Sequence, residues 1–258
     1  MWKDRLNTIL QPLRIIPLSI KLHLAALKHL LSTTGITALT QISEIQNLGI
    51  ATLLRTCQEP WIQYEDTTAV PQLLLSTAGV TLDIGPGIGN QIHRLPAQNI
   101  TAIYGVEPNP QFAADISARL AKYDLQDKYT LVTCGIEDSD VLEEHGITEG
   151  SMDTVLCIQV LCSVDDPRRV MREVWRLLKP GGRFVFWEHG RSKDFWTRVI
   201  QACWNRTWCA LVGGCRLNRD IKPVILAAGE WENPNDLVQD DEIYSLLPRT
   251  WGVLVKKA

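Results

Sequence analysis

The chain has no CxxC pair, although it carries seven cysteines (Cys57, Cys134, Cys157, Cys162, Cys203, Cys209 and Cys215). With no matching histidine spacing either, the sequence offers no zinc-ligand pattern, and no metal is expected. Cys134, Cys157 and Cys162 lie in apolar, strand-like runs, as small buried thiols of a reducing compartment do. Cys209 and Cys215 are close enough in sequence for a disulfide, a pairing ranked well below free thiols. There is no excess of basic charge: 26 Lys and Arg against 29 Asp and Glu give a net charge of −3. A nucleic-acid partner is therefore not expected. No repeat and no low-complexity stretch breaks the chain. A long uninterrupted apolar run is also missing, because Pro12, Arg14, Pro17, Lys21 and Lys28 punctuate the Leu- and Ile-rich stretch 9–31. That argues against a spanning helix and a signal peptide. The expectation is a cytoplasmic protein, with Ile20, Leu24, Leu27 and Leu31 forming a stripe that packs on the domain. A peripheral membrane contact through residues 1–31 stands beside it.

What the sequence has is a turn built on three glycines, Leu82-Asp83-Ile84-Gly85-Pro86-Gly87-Ile88-Gly89-Asn90, after a short apolar strand and before a segment read as a helix start. Glycines there let the chain turn and let a ligand approach the backbone. The last glycine is not placed as in the dinucleotide fingerprint, where Asn90 stands here. From this point strands and helices alternate. Strands are expected over 100–106, 129–134, 152–158 and 183–188, with helices over 111–123 and 167–178. Such alternation builds a parallel sheet with right-handed crossovers. Residues 1–75 read as a helical cap, with 36–64 mixed helix and loop, and residues 76–258 as the α/β domain. Residues 251–256 read as a final antiparallel strand.

Ligands of such sheets bind beyond the carboxyl ends of the strands. Those ends carry Asp83 and Gly85, then Glu107, Glu137 and Asp138, Gln159, and finally Glu188 and His189. An acid closing the second strand can accept both hydroxyls of a ribose. The aromatic-rich stretch 194–211 is either core or pocket wall, and Asp220 reads as a helix N-cap.

In order, the glycine turn, Ser151–Cys157, Val164-Asp165-Asp166-Pro167 and Glu173–Gly182 resemble the class I S-adenosylmethionine-dependent methyltransferases. More narrowly, Glu107–Pro110, Leu161–Val164, Trp187-Glu188-His189, Gly214–Arg219 and Gly252–Lys256 resemble the methyltransferase-like seven family of small-thiol methyltransferases, whose members are membrane-associated. Gly213 and Arg249 stand where that family has Asp and His. The resemblance implies a Rossmann-like, mostly parallel seven-stranded sheet with an antiparallel last strand. It implies S-adenosyl-L-methionine held by Asp83, Gly85, Gly87, Gly89 and Glu107, with Pro108 or Asn109 beside the adenine. Glu137 or Asp138 would accept from the adenine amine, and Gln159 would lie near the transferred methyl. His189 and Glu188 are the polar candidates beside a nucleophile. The expected activity is methyl transfer to a small, largely apolar molecule at sulfur, nitrogen or oxygen, in specialised metabolism. The alternative is a methyltransferase-fold protein acting as a cyclase, an isomerase or a binding protein.

Overall fold

A computed structural model of the chain describes residues 2–240 and 242–258. Its centre is a seven-stranded sheet of β1 (Gly79–Ile84), β2 (Ile100–Val106), β3 (Tyr129–Val132), β4 (Met152–Ile158), β5 (Leu178–His189), β6 (Val238–Gln239) and β7 (Arg249–Val255). The strand order is β3-β2-β1-β4-β5-β7-β6. Strands β1 to β5 pair in parallel, while β7 is antiparallel to both β5 and β6. The expected antiparallel final strand is therefore present, and it begins two residues earlier, at Arg249.

The pleat sorts side chains into two cores. Phe184 and Phe186 of β5, with Val155 and Cys157 of β4, face helices α6 (Ser139–Glu144), α7 (Pro167–Leu177) and α9 (Ile221–Leu226). Val185, Trp187 and Leu156 face the other way, toward α4 (Val70–Leu74) and α5 (Ala113–Lys122). Each fully buried aromatic or branched side chain is worth about 1.5–3 kcal/mol. Helix α7 starts where Asp166 accepts from the backbone N–H groups of Arg168 and Arg169, with Pro167 in the first turn. At the second cap the expectation fails. Asp220 precedes α9, but its carboxylate pairs with Arg191 at 2.7 Å and makes no capping bond.

Four helices precede the sheet: α1 (Trp2–Leu10), α2 (Ile16–Thr34), α3 (Ile42–Asp66) and α4. The stretch read as mixed helix and loop is largely one long helix, α3, which runs through Pro60. Proline costs such a helix a donor. Near its end Glu65 accepts from Gln91, Arg94 and Gln159. The face that packs is also not the predicted one. Helix α2 buries Ile16, Ser19, Ala26 and Leu30, whereas Ile20, Leu24 and Leu31 are exposed. The glycine turn likewise leads into a single turn of 3-10 helix (Ile92–Arg94), because Pro96 prevents a longer helix. Helix α8 (Phe195–Leu211) follows β5 and packs on α1 and α2.

Candidate active site

One cavity of about 1220 Å³ lies over the carboxyl ends of β1, β2, β4 and β5 and is roofed by α2, α3 and the end of α8. Its acidic side is built by β1 and β2. Asp83, the penultimate residue of β1, is opposite Gly105 of β2. Because Gly105 has no side chain, the Tyr129 hydroxyl of β3 reaches across to Asp83 Oδ2 at 3.0 Å. Burial pushes the Asp83 carboxyl up to about 7, the neighbouring Glu107 pushes the same way, and the Tyr129 bond opposes both. Glu107 closes β2 and accepts from Gly87 N at 3.0 Å with one oxygen and from Asn109 N at 2.9 Å with the other. Burial raises this carboxyl too.

Gly85, Gly87 and Gly89 all have positive φ. Their roles differ. Gly85 and Gly87 line the cavity, and a Cβ on Gly85 would press on Val160. Gly89 lies off the cavity and makes room for Ile92 and Arg119. Pro108 and Asn109 are on the wall, with the Asn109 side chain bonded to Gln111 N and Asn47 O. Of the two acids after β3, Glu137 lines the cavity, whereas Asp138 turns away to accept from Gly135 N at 2.7 Å.

Gln159 follows β4 with a φ of +62°, a left-handed conformation that a residue with a side chain adopts at a cost. Three contacts hold it there. Its N–H donates to Trp187 O, its amide donates to Glu65 Oε1 at 3.0 Å, and its carbonyl accepts from Arg249 at 3.0 Å. The Arg249 guanidinium also stacks 3.9 Å from the Trp187 ring centroid. Sequence reasoning did not find Glu65, Arg249, Tyr129 or Gly105, since their roles depend on strand and helix partners that no local motif records.

Glu188 and His189 part company. The Glu188 carboxylate is fully buried and accepts from Val160 N at 2.7 Å and Leu161 N at 3.0 Å, so it clamps the turn after β4 and does not reach the cavity. That corrects its placement beside a nucleophile. His189 does line the cavity, and its Nε2 lies 3.0 Å from Cys215 Sγ. Cys162, His189 and Cys215 offer ligand atoms within 4.8 Å of one another, and all three are buried. The chain's cysteines and histidines therefore do converge, against the expectation from their spacing. In α8 only Trp208 lines the cavity among the aromatics. Trp204 donates to Ile9 O of α1, while Phe195 and Trp196 are exposed.

The acidic wall fits a cationic ligand. Asp83 has one oxygen left after Tyr129, and each Glu107 oxygen keeps an unshared pair beside the side-chain-free turn. A donor with an ammonium, a sulfonium and two neighbouring hydroxyls suits that set. Comparison with known proteins agrees. Residues 82–186 match the family model described as a methyltransferase domain. Thiol S-methyltransferase TMT1B of Rattus norvegicus is 34% identical over 165 residues, which is 59% of this chain and 63% of that protein. The matched segment thus spans less than two thirds of that relative. The N-methyltransferase NodS of Bradyrhizobium japonicum, solved with S-adenosylhomocysteine, shares the fold at a TM-score of 0.53 and 15% identity, over 76% of this chain and 88% of that one. The cyclase SpnF shares it at 0.55 and 16% identity, over 76% and 81%. With the strand order, the glycine turn and the paired acids in place, residues 82–186 are similar to a methyltransferase domain, and the solved neighbours share the fold around it.

Proposed function

We propose that this protein transfers a methyl group from S-adenosylmethionine to a small, largely apolar molecule, with a thiol as the first acceptor to test. The observation that carries this reading is the continuity of the acidic donor wall with an apolar compartment in one cavity. Asp83, Glu107 and the backbone of Gly85 and Gly87 line it together with Ile15, Ile50, Leu54, Trp208 and Leu247, and Leu54 comes right up to Gly87. In this reading Asp83 pairs with the donor's cationic end, Glu107 takes the ribose hydroxyls, and Pro108, Asn109 and Glu137 border the adenine. Gln159, fixed from two sides, marks the methyl-bearing end.

The bound donor supplies an electrophilic methyl group. The protein then has to hold the acceptor atom in line, about 3 Å from that carbon, and keep water out. Helices α2 and α3, in this reading a lid over residues 76–258, supply the exclusion. A thiol gives up its proton readily, and the polar corner of Cys162, His189 and Cys215 faces the cavity where that proton would leave. The likeness to the thiol methyltransferase supports sulfur as the acceptor. The cyclase likeness is one of fold alone.

The same reading includes a peripheral membrane contact. Leu6, Ile9, Leu10, Leu13, Ile20 and Leu24 are all exposed on α1, α2 and the turn between them. The helical run Lys3–Thr40 is long and apolar enough to cross a bilayer by length and composition, but it is interrupted by Pro12 and Pro17. An apolar face lying in the interface accommodates both facts.

Calorimetry with S-adenosylmethionine and S-adenosylhomocysteine, on the native chain and on Glu107→Ala, tests the donor site. Saturable binding lost in the variant supports the proposal, and the acceptor screen then begins with lipophilic thiols, followed by amines and enols. Absence of binding by the folded native chain overturns it.

A further inference from the structure

Two thiols and an imidazole meet at the floor of the cavity, on three separate elements. Cys162 belongs to the turn after β4, His189 ends β5, and Cys215 follows the loop after α8. Exposure is 2% for Cys162, 2% for His189 and 8% for Cys215, yet all three line the cavity. Their ligand atoms lie within 4.8 Å of one another, with His189 Nε2 at 3.0 Å from Cys215 Sγ. Tetrahedral zinc, with bonds of about 2.3 Å to sulfur and 2.0–2.1 Å to nitrogen, separates such ligand atoms by roughly 3.6–3.8 Å. The triad needs side-chain adjustments of about an ångström or less to meet that geometry.

The imidazole turns only its Nε2 edge toward the two thiols. His189 Nδ1 is buried and has no hydrogen-bond partner among the described residues. The loop around Cys215 is also shaped for this position. Gly213 and Gly214 have positive φ, and a Cβ on Gly214 would crowd Ser163 O, next to Cys162. The two cysteine-bearing turns therefore pack directly against each other.

We infer that Cys162, His189 and Cys215 form a binding site for a thiophilic divalent cation of the zinc type, with its fourth position open to the cavity. Three protein ligands and one open position are the pattern of a zinc site that takes a substrate atom. The inference rests on the methyltransferase reading only for what fills that position, namely the acceptor thiol. On binding, the thiol loses its proton to solvent and remains a nucleophile next to the donor. Its sulfur then forms the new bond to the methyl carbon as the carbon–sulfonium bond breaks, and that electron pair stays on the sulfur of S-adenosylhomocysteine. The neutral thioether is a weak ligand and leaves.

The test uses the full chain. It is titrated with cobalt(II), and zinc affinity is then measured by competition with a chromophoric chelator. One equivalent with a thiolate-to-cobalt charge-transfer band and tetrahedral ligand-field bands is expected. The double variant Cys162→Ser/Cys215→Ser should lose the band and weaken zinc binding by more than about 100-fold, beyond what changes outside the ligand set produce. Cys57→Ser/Cys203→Ser should match the native chain in both. A native chain without a one-to-one site, or a double variant that binds as the native chain does, overturns the inference. Should the double variant not fold, the native spectrum decides, because a cobalt complex without thiolate charge transfer overturns it as well. S-adenosylhomocysteine calorimetry on the same preparation separates the two readings: donor binding without zinc removes the metal site alone, and zinc without donor binding removes the methyltransferase reading alone.

Discussion

The Tyr129 hydroxyl donates to the Asp83 carboxylate at 3.0 Å, over the backbone of a strand that lies between them and has glycine at the crossing point. That single bond is what the sheet gives a buried acid at the centre of the cavity wall, and two of the outcomes below depend on it.

The first concerns pH. Asp83 sits at about 7, above its ordinary 3.8, chiefly through burial. A cationic donor favours its ionised form, so donor affinity should rise by up to about tenfold per pH unit below 7 and level off above. Isothermal titrations between pH 5.5 and 8.5 measure this, and Asp83→Asn should flatten and lower the profile. For stability the sign is the reverse. A folded-state value raised above the unfolded one favours folding in acid, and that contribution is lost as pH climbs from about 4 through 7. Asp83→Asn should therefore melt higher than the native chain at pH 8 by a few degrees (about 2–4 °C per kcal/mol), with the gain shrinking at pH 5. An equal difference at both pH values would count against the assignment.

Gly105→Ala tests the crossing itself. A Cβ there would overlap the Tyr129 hydroxyl and ring. Overpacking of this kind costs about 1–3 kcal/mol. Denaturant unfolding should show that loss, and donor affinity should fall with it because Tyr129 can no longer hold Asp83. Unchanged stability would mean that the tyrosine has another place to go.

The two helix caps make a contrast. Asp166 accepts from two backbone N–H groups at the start of α7, so Asp166→Ala should lower the melting temperature measurably. Asp220 occupies the equivalent place before α9 but holds only an exposed arginine, and Asp220→Ala should cost less than about 0.5 kcal/mol. Thermal melts of the two variants rank them, and reversal of that order would refute the contrast.

How far these features could be read in advance depended on their range. The glycine turn, the acid after β2 and the alternating strands are local patterns, and β4 emerges with the bounds its apolar run suggests. Asp220 misleads because an N-cap residue announces a position and not a bond. The stripe Ile20-Leu24-Leu27-Leu31 misleads because periodicity locates an apolar face without saying what it meets, and α2 packs through the smaller Ser19 and Ala26 instead. Cys162, His189 and Cys215 are far apart in sequence, so their meeting depends on the order of strands in the sheet and on the loop after α8. Gly105 looks like a weak point in a strand until Tyr129 is placed one strand away.

Arg249 tests the same kind of distant pairing. Its guanidinium donates to Gln159 and lies over the Trp187 ring. Arg249→Met leaves the Gln159 carbonyl without its donor and should cost about 1–3 kcal/mol in a denaturant titration. Arg249→Lys, which keeps the charge and loses the planar stack, should recover only part of it. Full recovery by lysine would show that charge alone matters.

Glu65 receives Gln91, Arg94 and Gln159 at once, from the segment after the glycine turn and from the end of β4. Its own residue comes from the last turn of α3. Cutting the chain between α4 and β1 would strand a buried guanidinium and two amides on one fragment and a buried carboxylate on the other. Neither piece inherits a complete set of partners, so the helices and the sheet should melt in one transition and resist exchange with those of another protein. In engineering terms the donor half cannot be lifted out and given a new roof, because the roof contributes one of the beams of its floor.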